Sequence, residues 1–216
     1  MLSTDEKELI LINEYDSKLL DKAPITEKDL MTMYSKHSDN LYLYLQETIN
    51  PFILPLSNEL RAMLGHIATY RIANPDATKR DLDKAYGHFR RFNIDALKIL
   101  CDEFDRSLSG ELKKQYTYDY RDICPDYLDK YSSLYFNAKH LYLKAQEEER
   151  VGSDYEVHNL IELYHNAAKE YIQLKRYYQQ YKPDITRIRR HVVVKRVISG
   201  FMVAIGIIAS IVGLLP

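Results

Sequence analysis

The chain has no tryptophan, two cysteines, seven glycines and seven prolines among its 216 residues. Each scarcity excludes something. Cys101 and Cys124 form neither a Cys-x-x-Cys pair nor a disulfide framework, so they read as reduced thiols in a cytoplasmic compartment. With so few glycines and prolines, and long gaps between them, tight turns are rare and long helices are favoured. No stretch alternates apolar and polar residues for long enough to predict a strand. A glycine-rich phosphate loop is missing, as are His-Glu-x-x-His and zinc-ligand spacing, so no metal and no cofactor is expected. There is no internal repeat.

Other residues are plentiful. Hydrophobic residues make up 46% and charged residues 28%, a globular balance rather than a disordered one. The length allows one or two domains with a real core. Tyrosine is abundant at 19, against 6 phenylalanines.

The net charge of −1 hides an asymmetry. Residues 182–196 hold six basic side chains (Lys182, Arg187, Arg189, Arg190, Lys195, Arg196) and one acid, Asp184, and residues 197–216 hold no charge. Taking these from the totals of 30 and 31 leaves 24 basic and 30 acidic residues in 1–181, a net of −6. A body of that sign is not built to hold nucleic acid broadly, and DNA is not expected as a partner.

Helix signals punctuate the chain. Ser3-Thr4-Asp5-Glu6 reads as a capping box for a first helix reaching about Leu20, broken at Pro24. Thr26-Glu27-Lys28-Asp29 opens a second helix that runs to Asn50-Pro51. A third is expected from about Leu56 to Ile72, ended by Asn74-Pro75-Asp76. Thr78-x-x-Asp81 caps a fourth, from Lys79 to about Ser107, closed by Ser109-Gly110. Residues 111–125, with Pro125, read as irregular or as holding a short helix. Two long periodic stretches follow. The first sets Leu128, Tyr131, Tyr135, Ala138, Tyr142 and Ala145 along one side. The second steps by threes and fours from Val157 and Leu160 through Tyr164, Ala167, Tyr171, Leu174 and Tyr178 to Tyr181. Gly152-Ser153-Asp154 lies between them and predicts an antiparallel hairpin. Pro183-Asp184 predicts a break, with a last helix from about Ile185. The predicted class is all-α: a cytoplasmic bundle over 1–110, a hairpin region over 111–181, a basic neck over 182–196 and a transmembrane helix over 197–215.

That last expectation rests on Val197–Leu215, 19 uncharged residues behind a basic neck. At 1.5 Å per residue they would span about 28 Å, close to the ~30 Å hydrocarbon core of a bilayer. Basic residues stay on the cytoplasmic side. The expectation is therefore a single-pass anchor in the inner (plasma) membrane with the body cytoplasmic and the lipid bilayer as partner. Gly200 with Ala204, Gly206 with Ser210, and Ala209 with Gly213 are small residues four apart, a spacing that favours helix packing in lipid and hence a homo-oligomer.

Two polar clusters are candidates for chemistry. Asn58-Glu59-Leu60-Arg61-Ala62-Met63-Leu64-Gly65-His66 places Arg61 five residues before His66. This Arg-x4-His resembles the motif of HEPN-type ribonucleases, helical and usually dimeric proteins that cut RNA at the 2′-hydroxyl without metal. The resemblance covers about 60 residues and implies Arg61 and His66 as catalytic groups. It departs from the family pattern in having Ala62 after the arginine and in lying early in the bundle. In the next predicted helix, His88, Arg91 and Asp95 share a face at i, i+3, i+7. If the two helices pack antiparallel, these would meet Arg61 and His66 and suit a phosphate, a nucleotide or RNA. The same groups would also make a salt-bridged network with Asp95 and Glu59 as counter-charges. Tyrosines at the seam of the hairpin would either pack it or form a face for a partner.

Two functions of different class follow. One is a membrane-anchored helical effector or interaction protein that works by oligomerising, similar in architecture to bacterial defence and stress effectors. The other is a membrane-tethered HEPN-like endoribonuclease.

Overall fold

The computed structural model describes residues 4–13, 16, 20, 26–49, 53–72, 78–115, 120, 126–151 and 159–212, the backbone alone at 4, 5, 78, 115, 206 and 208–212. The expected features at Ser3 to Asp5, Pro24, Asn50-Pro51, Asn74 to Asp76, the Thr78 side chain, Cys124, Pro125, Gly152 to Asp154 and Val157 lie outside these residues.

Among the described residues there are helices and no strand. They are α1 (Thr4–Asn13), α2 (Glu27–Met33), α3 (Asp39–Thr48), α4 (Leu54–Ile72), α5 (Thr78–Gln115), α6 (Tyr127–Val151) and α7 (Leu160–Val212). A π-helical turn, Tyr34–Ser38, joins α2 to α3 without breaking the rod. The capping box at Thr26 is formed as its sequence implies. Asp29 N–H donates to Thr26 Oγ1 at 3.2 Å, and Thr26 N–H donates to Asp29 Oδ2 at 2.9 Å. The π-turn has a local consequence. It buries Ser38, whose hydroxyl donates to Asn93 Oδ1 on α5 at 2.8 Å, while Asn93 Nδ2 donates to the Phe89 carbonyl. Such a single wide turn re-aims side chains within an otherwise regular helix.

Two packing units share one core. Helices α4 and α5 form an antiparallel hairpin, shown by Glu59 meeting His88 and His66 meeting Asp81. The C-terminal half of α5 then joins α6 and α7 in a three-helix bundle. Asp102 and Asp105 of α5 meet Tyr142 and Tyr135 of α6, in descending order, and Asp105 and Glu111 meet Tyr171 and Arg189 of α7, in ascending order. So α6 runs against both neighbours. Helix α5 crosses the domain boundary expected at residue 110 and belongs to both units.

Three helix expectations are corrected. Gly110 does not end α5, which runs 38 residues to Gln115. Tertiary contacts beyond it outweigh the glycine: Leu108 and Leu112 are buried, and Glu111 pairs with Arg189. Pro183 does not break the last helix either. It sits inside α7, 53 residues long, held on both sides by Tyr181 and by Ile185, which is buried. A proline removes one intrahelical hydrogen bond, and burial on either side of it can carry that loss.

The transmembrane helix is the third correction. No helix of the described residues is long and apolar enough to cross a membrane. The apolar tail is not a separate element but the end of α7, continuous with the neck that carries Arg190, Lys195 and Arg196. Its uncharged part begins at Val197, and the described helix runs to Val212. The single-pass anchor is withdrawn, and the membrane localisation drawn from it loses its support.

Helix α1 is tied down by polar contacts more than by apolar area. Leu11 is buried, yet so are Lys7 and Glu8. Glu8 accepts from Tyr44 Oη at 2.8 Å and pairs with Lys175 and Arg176. Lys7 pairs with Glu47. At the far end His165 Nε2 lies 2.6 Å from the Leu11 carbonyl. Burial pushes the His165 pKa below its ordinary value, against the raising pull of that carbonyl, with Lys169 and His37 lowering it and Glu162 raising it further. The unfolded chain takes up this proton near pH ~6.5, and the folded chain takes it up only at lower pH. The contribution of His165 is therefore whole above that value and is lost as pH falls below it. Denaturant melts at pH 7.5 and 5.5 are expected to show a loss of stability on acidification that is smaller in His165→Gln, which keeps an amide donor without the titration. An equal loss in both would show that His165 does not set this pH dependence.

Candidate functional site

The α4–α5 hairpin assembles the main polar cluster by a simple rule of spacing. Glu59 and His66 are seven residues apart on α4, and Asp81 and His88 are seven apart on α5, so each pair shares a face. Antiparallel packing crosses them. His88 Nδ1 lies 2.7 Å from Glu59 Oε2, and His66 Nδ1 lies 3.7 Å from Asp81 Oδ1. The two imidazoles stack, with centroids 5.3 Å apart and planes inclined by 16°. All four side chains are partly buried. Glu59, one of the counter-charges foreseen for a network, is engaged in this way.

The arginines are not drawn into the pair. Arg61 lies two residues from Glu59, on the far side of α4, and is exposed. Its guanidinium donates to Asn58 Oδ1 at 3.2 Å. Five residues turn the helix by about 140°, so Arg61 and His66 diverge within one chain. Arg91 is exposed beside His88 and lines a groove with it, while Asp95, two turns along the same face from His88, is half-buried and engaged. Among the described residues no group of three or more His, Cys, Asp or Glu is placed to hold a metal.

That groove runs along the outer face of α5, a shallow cleft of about 670 Å³. Its cations are Lys79, Arg80, Lys84 and Arg91, its one acid is Asp83, and Gly87 lies in its floor with His88. A side chain built at Gly87 would meet nothing within 4 Å. The sequence reading missed Arg80 and Lys84, although both continue the His88–Arg91 face at four-residue steps and were legible in that spacing.

The tyrosines serve the seam. Tyr127, Tyr131, Tyr142, Tyr164 and Tyr171 are fully buried. Tyr127 stacks on Tyr177 and meets Tyr181 edge-on. Their hydroxyls reach acceptors inside the bundle. Tyr131 donates to the Leu108 carbonyl at 3.0 Å, Tyr135 and Tyr171 donate to Asp105, Tyr142 to Asp102, and Tyr164 to Glu149. Burial first, then the neighbouring carboxylates, push Tyr135 and Tyr178 up to about 12, and Tyr142, Tyr164 and Tyr171 higher still. They stay protonated donors at ordinary pH. Burial alone would raise the Asp105 pKa, but hydrogen bonds from Lys139, Tyr171 and Tyr135 hold it below the usual carboxylate range. The acceptor row on α5 was not foreseen. Its only signal is that a buried hydroxyl needs a partner, and spacing within α6 or α7 does not say which helix supplies it.

A second candidate lies on α7 beyond the bundle. Among the described residues seventeen large apolar side chains are exposed, and nine of them fall between Val193 and Ile207. Val193, Val194, Val197, Ile198, Phe201, Met202 and Ile205 follow steps of one, three and four, so they form one continuous stripe. The opposite face carries Lys195, Arg196 and Ser199 and then two further exposed apolar residues, Val203 and Ile207. Gly200 and Ala204 sit at the edge of the stripe and are exposed, and nothing lies within 4 Å of a side chain built at Gly200. The side chains of Gly206 and Ser210, and all of Gly213, lie outside the described residues.

Comparison with protein-family models, with curated proteins and with solved structures finds no match for this chain.

Proposed function

We propose that this chain is a helical interaction protein that assembles with copies of itself through the free end of α7. One observation carries the reading: an apolar stripe about twelve residues long on a helix that has left its own core. Its exposed apolar area is on the order of 1,000 Å², several times what scattered surface residues leave and enough for a specific interface. From Val197 on exposed apolar side chains go round the helix, since Val203 and Ile207 lie opposite the stripe, as in a helix enclosed by other helices. A like segment is the occupant that matches it, because the stripe from Val197 on offers no charge for a polar partner to meet. The paired histidines and the tyrosine seam fit a scaffold that holds this arm rigid.

Light scattering on the full chain tests the proposal. The wild-type protein is expected to be a dimer or larger at tens of micromolar, and Phe201→Glu combined with Val197→Glu is expected to be a monomer. Both sites are exposed, so the melting temperature of the body should stay the same. A wild-type monomer, or an oligomer that survives both substitutions, would overturn the proposal.

A further inference from the structure

We infer that the outer face of α5 is a binding site for the phosphodiester backbone of a single-stranded nucleic acid. The inference is independent of the α7 arm.

The face carries one cationic or imidazole group on each successive turn. Arg80, Lys84, His88 and Arg91 are spaced by four, four and three residues, so they lie in a row down one side of the helix. The row is about 16 Å long at 1.5 Å per residue. Lys79 widens its first turn. Some cations elsewhere in the bundle are matched by acids, as with Lys98 and Glu149, Lys139 and Asp105, or Arg189 and Glu111. Here the balance differs. Lys79 and Arg80 pair with no described acid, and Lys84 reaches Asp81 only at 3.9 Å. The nearby acids are Asp83 in the groove, Glu59 and Asp81, which hold the two histidines, and Asp95, one turn beyond Arg91, which is itself engaged. In the groove lining itself four cations face one acid, and that excess attracts anions.

His88 adds direction. Its Nδ1 is taken by Glu59 and its ring is stacked on His66, so the ring cannot swing. Nε2, on the other side of the ring, is the nitrogen left to meet a ligand, and since Nδ1 donates to Glu59 it can donate to a phosphate oxygen only in the doubly protonated ring.

The lining decides the class of ligand. It consists of charged groups, one imidazole and a glycine, with no apolar side chain. An acidic peptide binds well when an apolar anchor enters a pocket, and there is none. A nucleic-acid strand needs no anchor, because neutralising its phosphates releases condensed counterions. A row along a single helix tracks one backbone. With no exposed aromatic ring among the described residues of the groove for a base to stack on, binding is expected to be independent of sequence.

Fluorescence anisotropy with labelled U20 and dT20 tests this. Four phosphate contacts imply a salt slope near −3, or roughly a 50-fold loss of affinity between 50 and 200 mM salt. Arg80→Ala with Lys84→Ala is expected to halve the slope and weaken binding of both probes. These two side chains are on the surface, and an unchanged melting temperature verifies the fold. Equal binding of the two probes assigns the site to the shared backbone, and tighter U20 binding adds a contact to the 2′-hydroxyl; either supports the site. No binding at 50 mM salt, binding indifferent to the double substitution, or equal competition by poly-glutamate would overturn it.

Discussion

Alanine at Asp105 is expected to cost the fold about 3 kcal/mol. The carboxylate accepts from Tyr135 at 3.0 Å and Tyr171 at 2.9 Å, and pairs with Lys139 at 2.6 Å. It joins all three helices of the bundle at one point. Its removal strands two tyrosine hydroxyls, and Tyr171 has no exposure through which water could replace the lost acceptor. A buried hydroxyl left without a partner costs about 1–3 kcal/mol. For a chain of this length the melting temperature should fall by roughly 6–12 °C. Asp105→Asn keeps an acceptor but not the charge, so it should fall in between. The pH dependence has a definite sign. The folded pKa of Asp105 lies below the unfolded one, so its contribution is full above about pH 4 and is lost as pH drops through the folded value. The gap between wild type and Asp105→Asn should therefore be widest at neutral pH and close in acid. Denaturant melts at pH 7 and pH 3 measure it. A change below 1 kcal/mol for Asp105→Ala at pH 7 would mean that the tyrosines find other acceptors.

Glu8→Ala is expected to have an effect of similar size that appears in one place. Glu8 is almost fully buried and answers Tyr44, Lys175 and Arg176 together. Removing one partner of a buried ionic cluster costs about 3–5 kcal/mol, because the charges left behind are uncompensated. Apart from this cluster, helix α1 is held by the His165 contact to the Leu11 carbonyl and by Ile12, which packs on the core from a partly buried position. Leu11 is its buried apolar residue among the described side chains, and the neighbouring Lys7 depends on Glu47. The helix should therefore release before the body unfolds. Hydrogen exchange is expected to show protection lost over residues 4–13 with α5 to α7 largely unchanged. Glu8→Gln keeps an acceptor for Tyr44 and still leaves Lys175 and Arg176 without their counter-charge, so it should release α1 as well. Full protection of α1 in both variants would show that its docking does not depend on this cluster.

The all-helical class was legible in the sequence, for reasons seen in particular residues. Thr26 and Asp29 form the cap their types imply, because that interaction is local and needs no tertiary partner. The periodic tyrosines from Tyr131 to Tyr142 and from Tyr164 to Tyr178 mark the faces that α6 and α7 turn to the core, since a repeat of three and four residues leaves a helix one apolar side. The seven-residue spacing from Glu59 to His66, and from Asp81 to His88, was there to be read as well. What these stretches meet could not be read in the same way. Gly110 and Pro183 are local stop signals, and both are overridden by burial that comes from distant helices. Val197 onward had the composition of a membrane span, but its described part is the exposed end of a longer helix, and no helix of the described residues is long and apolar enough to cross a bilayer.

The sequence by itself determined that the chain is helical and which faces of α6 and α7 are apolar, but not that α5 and α7 run through Gly110 and Pro183, because capping and periodicity act within a few residues along the chain. Only the tertiary structure decided that Glu59 meets His88, that Asp105 serves Tyr135 and Tyr171, and that Arg61 turns away from His66. Those outcomes depend on which helices lie side by side and in what register, and that is set by the fit of whole faces rather than by any local run of residues.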